Sequence, residues 1–138
     1  MAKYSFRKAA QRLGIETLGG IGTRWCDLTP EGVMALMAHK SFFTKFKTES
    51  GIMVKYIDPG NTNLNKKHPA RLSLDLLDKY FTPGAPILLI EAEFKTDGAD
   101  FSAAEFDYAT GKVFRATFED FDRPQGRIVC HIQSTFNI

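Results

Sequence analysis

The sequence predicts an α+β fold: N-terminal helices packed on one face of a C-terminal four- to five-stranded antiparallel meander sheet. Helix-start signals and apolar residues at helical spacing concentrate before residue 81. Alternation of apolar and polar residues dominates from Pro86 onward. The 138 residues, 43% of them hydrophobic and 25% charged, exclude a disordered chain and match one globular domain over 1–138.

The first helix is predicted over Ser5 to Leu13, with Ser5 as N-cap and Gly14 as stop. A connector rich in glycine follows (Gly19, Gly20, Gly22); it lacks the Gly-Lys-Ser/Thr ending of a phosphate loop, and no cofactor is expected. Thr29 as cap, Pro30 in the first turn and Glu31 at the positive dipole end start a second helix, predicted to run to about Thr48. Its apolar side would hold Val33, Leu36, Phe43 and Phe46, with His39 among them as a packed boundary residue. Ile52 to Ile57 reads as a strand and Asp58-Pro59-Gly60-Asn61 as a break. The polar stretch to about Leu72 is a long loop, and Ser73 to Phe81 a short capped helix.

The meander is predicted from Pro86–Phe94, Ser102–Tyr108, Val113–Glu119 and Arg127–Phe136. Alternation places Leu88, Ile90, Ala92, Phe94, Phe106, Phe114, Ala116, Phe118, Ile128 and Cys130 toward the core. Glu91, Glu93, Glu105, Asp107, Arg115 and His131 would line the other face. A three-residue turn, Ala109-Thr110-Gly111, keeps that pattern in register and sets Glu105 opposite Arg115.

Charge and cysteine usage narrow the function classes. Residues 1–80 hold 13 Lys/Arg against 7 Asp/Glu, and residues 81–138 hold 5 against 9. A basic half and an acidic half can pair head to tail between copies of the chain. Twelve Phe suit a Phe-rich core or a docking face. Cys26 and Cys130 form no CxxC, and no apolar run reaches the ~20 residues of a membrane span. The start Met1-Ala2-Lys3-Tyr4-Ser5-Phe6 has no apolar signal-peptide core. These observations lead to the expectation of an intracellular, cytoplasmic protein, not secreted, with no membrane partner.

Three groups of residues are candidates for chemistry or binding. Glu105, Arg115 and His131 arrive on successive strands, and their order behind N-terminal helices resembles the barnase-like microbial ribonucleases. The resemblance implies Glu105 as base, Arg115 as stabiliser of phosphorane charge and His131 as acid. Glu91-Ala92-Glu93-Phe94-Lys95 contains Glu-x-Lys, which resembles the PD-(D/E)xK nucleases and implies a metal held by Glu91 or Glu93 with Asp58, Asp75 or Asp78, and Lys95 orienting water. Lys66, Lys67, His68 and Arg71 make the long loop basic and mark it as a partner-binding segment. Cys130 and His131 point to opposite faces, and Cys26, His39 and His68 lack ligand spacing, so no metal-ligand set is read from them.

In general architecture the predicted order of elements also resembles the NTF2/cystatin-like folds, which implies a small-ligand binder. The first expectation is nonetheless a non-catalytic interaction or assembly protein: a homo-oligomer, or one bound to a protein partner, as in a structural component of a virus or mobile element. Nuclease action on nucleic acid through the polar sheet face is the alternative.

Overall fold

Two strongly apolar runs, Met34–His39 and Pro86–Phe94, lie side by side as parallel strands in the computed structural model. The structure describes residues 6–15, 26–58, 75–94, 106–124 and 127–138. In chain order the elements are α1 (Phe6–Arg12), β1 (Cys26–Leu28), β2 (Met34–His39), a 3-10 turn (Lys40–Phe42), β3 (Phe43–Thr48) and β4 (Gly51–Asp58). Residues 75–80 are helical, followed by β5 (Pro86–Phe94), β6 (Phe106–Asp122) and β7 (Arg127–Asn137). All seven strands join one mixed sheet, ordered β1-β2-β5-β6-β7-β4-β3. Only β2 and β5 run parallel; the other pairs are antiparallel.

The central strands are buried on both faces, so each contributes two sets of core residues. Leu36, Ile87, Leu89, Phe114, Phe118, Ile128 and Cys130 pack with Leu77 of the 75–80 helix on one face. Ala35, Met37, Ile90, Ala92 and Ala109 pack beneath Ala9 and Ala10 of α1 on the other. Gly14, where α1 ends, has φ +83, and a Cβ there would stand 2.6 Å from Pro30 Cγ. Glycine is thus required twice at this position, by the left-handed backbone and by the close approach of the β1–β2 turn.

The helix-on-meander architecture is therefore corrected, and the NTF2/cystatin-like and barnase-like arrangements fall with it. The second predicted helix, Thr29 to Thr48, does not form. Its span holds β1–β2 turn residues, β2, the 3-10 turn and β3. Met, Leu and Ala favour helices weakly, but Met34 to Ala38 are buried without a polar side, as in a strand covered on both faces. Gly32, at φ +84, turns the chain just before it.

The meander is corrected as well. Ser102–Tyr108 and Val113–Glu119 are not two strands joined by a turn, because β6 runs unbroken through Ala109, Thr110 and Gly111. Gly111 does adopt a positive φ of 93, but inside a bulge. Ile90 pairs with Val113 while Ala92 pairs with Ala109, so β6 carries extra residues there. Arg115 consequently lies between Leu88 of β5 and Ser134 of β7, on the same face as Leu88.

Sheet and far edge are joined by aromatic packing. Tyr56 of β4 is fully buried opposite Cys130 of β7, and its hydroxyl donates to Asp58 Oδ2 at 3.2 Å. Phe43 lies 5.1 Å from the Tyr56 ring and 4.2 Å from the Phe114 ring, linking β3, β4 and β6. Such pairs add about 0.5–1.5 kcal/mol each beyond area burial. Replacing Tyr56 with Ala is expected to cost about 3–5 kcal/mol, read as a lower midpoint in urea unfolding. A loss below about 1 kcal/mol would show that the aromatic link does not hold β4 to the sheet.

Candidate interaction surface

The β3–β4 hairpin reaches beyond the strand that anchors it. β7 pairs only with Lys55 to Asp58 of β4, whereas β3 pairs with Gly51 to Tyr56. From Gly51 to Val54, β3 is therefore the only paired neighbour among the described residues, and this end of the hairpin is a two-stranded arm. Gly51, at φ +131, follows the Glu49-Ser50 turn, and Thr48 Oγ1 donates to Gly51 O at 3.0 Å to close it.

Alternation gives the arm two dissimilar faces. Phe46 and Met53 are cross-strand partners on one; Lys45 pairs with Val54, and Lys47 with Ile52, on the other. Phe46 is 40% exposed and Ile52 70%, so a large apolar side chain faces solvent on each side. At the base of the arm, Lys55 Nζ pairs with Glu119 Oε1 at 2.8 Å, tying β4 to β6 across β7. β3 is also the last strand of the sheet order, and its outer backbone edge meets no other described strand.

The residues singled out from the sequence are dispersed. Arg115 and His131 share one face of the sheet, but His131 lies opposite Thr117 and Lys55, with Arg115 one face-step further along β6. The Arg115 guanidinium sits 4.1 Å over the Phe136 ring. Glu105 lies outside the described residues, as do Lys66, Lys67, His68, Arg71 and Lys95. Glu91 Oε1 accepts a 2.7 Å hydrogen bond from Thr110 Oγ1, and only the backbone of Glu93 is described, opposite Tyr108. Asp75 and Asp78 both pair with Arg123, the latter at 3.0 Å, which locks the 75–80 helix to the β6–β7 turn. Those bonds to carboxylates raise the Arg123 pKa from its ordinary value.

His39 ends β2 and caps the 3-10 turn. Its Nδ1 accepts from Ser41 N at 3.2 Å, and Ser41 Oγ is 2.6 Å away. A local cap of this kind orders a turn. No group of three or more metal-ligating side chains occurs among the described residues, and no described helix is long and apolar enough to cross a membrane.

The sequence places residues 43–48 in a predicted helix, so it does not anticipate the arm. Its signal was present in the β-forming Phe43, Thr44, Phe46 and Thr48 and in the glycine at 51. No protein-family model, curated protein or solved structure matches the chain.

Cys26 and Cys130 are both buried, and they form no disulfide with each other. Burial foremost, and then the charges of Glu119 and Asp58, push the Cys130 thiol up to about 12. Iodoacetamide at pH 8 is expected to spare Cys130 in the folded protein and to label it in urea. An unfolded thiol ionises near 9.0, so stability assigned to Cys130 is complete below that pH and is lost as pH rises toward about 12. The Cys130→Ala variant should lose stability less steeply over this interval in unfolding midpoints taken against pH. Equal slopes would contradict the assignment.

Proposed function

We propose that this protein is a non-catalytic interaction and assembly protein that joins copies of itself, or a protein partner, through the β3–β4 arm. The observation that carries this reading is a two-stranded arm with Phe46 and Ile52 exposed on opposite faces. An isolated two-stranded ribbon is marginally stable in water, and a third strand or an apposed apolar surface removes that liability. Lys45 and Lys47 flank these side chains and favour an acidic counter-surface. The excess of acidic over basic residues in 81–138 makes a second copy the first partner to test.

Light scattering on the full chain at ~50 mM and ~500 mM salt tests the proposal over a range where surface charge is strongly screened. A mass above 15.5 kDa that falls with salt is expected for the wild type. The Phe46→Ser/Ile52→Ser double variant should be monomeric at both concentrations and still unfold in a single cooperative transition, with a midpoint that does not depend on protein concentration. A wild-type monomer under both conditions would overturn self-assembly. An oligomer that survives the double substitution would move the interface away from the arm.

A further inference from the structure

At the other end of the sheet from the arm, the tail of α1, the β1–β2 turn and the middle of β6 enclose an open groove of about 620 Å³. That volume falls within the range of small-molecule sites. Leu13, Val33 and Leu88 supply an apolar wall, with the buried Ile87 beneath. Three charged side chains line the groove: Arg12, Arg115 and Glu31.

Arg115 differs from the paired cations of the sheet. Lys55, Arg123 and Arg127 each contact a carboxylate, whereas Arg115 pairs with none among the described residues. Its guanidinium is stacked on Phe136 at 4.1 Å. A guanidinium held over a ring face keeps N–H donors that can still meet an anion. A planar fork of donors beside an apolar wall matches a carboxylate that carries a hydrocarbon body.

We propose that this groove binds a small amphipathic carboxylate. The Arg115 guanidinium holds the carboxylate, and the hydrocarbon part lies on Leu13, Val33 and Leu88. Glu31 opposes the head group and sets an upper limit on affinity. The site is independent of the arm and of any assembly through it.

Titration of the ¹⁵N-labelled full chain with octanoate, followed by amide shifts, tests this directly, with acetate, inorganic phosphate and 1-octanol as comparison probes. Saturable shifts at Leu13, Val33 and Leu88 are expected with octanoate. Acetate and phosphate should produce none, and octanol should bind roughly tenfold more weakly, because it lacks the charge-assisted hydrogen bonds. Arg115→Gln should weaken octanoate binding by roughly tenfold or more and leave octanol unchanged. Arg115→Lys, which keeps the charge and loses the fork, should fall between the two. Glu31→Gln should tighten octanoate. Octanol binding as tightly as octanoate, phosphate shifting the same amides, or an Arg115→Gln variant of wild-type affinity with a wild-type spectrum would each overturn the proposal.

Discussion

Burial of β5 on both of its faces is the constraint on which the rest of this structure depends. Ile87 and Leu89 point to one side, Ile90 and Ala92 to the other, and all four are excluded from water. A strand of this kind cannot sit at an edge or on an open sheet, because either would leave half its apolar side chains hydrated. It therefore needs a strand on each side and a cover above and below. β2 and β6 supply the strands, α1 one cover and the 75–80 helix the other. β2 and β5 pair in parallel, and the chain between them includes β3 and β4 of the same sheet and the 75–80 helix over one face.

The excursion between β2 and β5 also creates the arm. After β2 the chain turns at Lys40–Phe42 and builds β3 and β4 at the opposite end of the sheet, where β4 pairs with β7. Tyr56, Phe43 and Phe114 make that anchor firm near the body, and the Lys55–Glu119 pair adds an exposed tie. Such a pair is weak by itself, worth about 0–1 kcal/mol, so the aromatic contacts dominate. Past Lys55 neither is available, and the ribbon is left with apolar side chains on both faces. The acidic and basic groups near the body are largely consumed in pairing: Asp75 and Asp78 with Arg123, Asp120 with Arg127, Glu119 with Lys55. Among the described residues, Lys45 and Lys47 on the arm and Arg115 at the groove have no carboxylate partner.

Parts of this were legible in local sequence. Gly14 marks the end of α1 because a left-handed residue closes a helix, and that requirement is met within a few residues. Ile52 to Ile57 reads as a strand from its alternation and lies within β4. Gly111 was recognisable as a left-handed position, but a left-handed glycine serves a hairpin turn and a β-bulge equally well. The choice between them rests on whether β5 and β7 flank a continuous strand, which the residues at 109–111 do not encode.

The sequence by itself determined composition, charge asymmetry, the glycine-dependent turns and which residues are apolar. Only the tertiary structure decided that Met34–Ala38 is a strand, that the sheet is mixed and that Arg115 shares a face with Leu88. Met, Leu and Ala carry a helix propensity of a few tenths of a kcal/mol each, and burial between two covered faces outweighs it. Propensity is set by a residue and its near neighbours, whereas burial is set by pairings such as Lys55 with His131 that join distant parts of the chain. A site built from α1, the β1–β2 turn and β6, or an arm defined by where a third strand stops, exists only once those pairings are made.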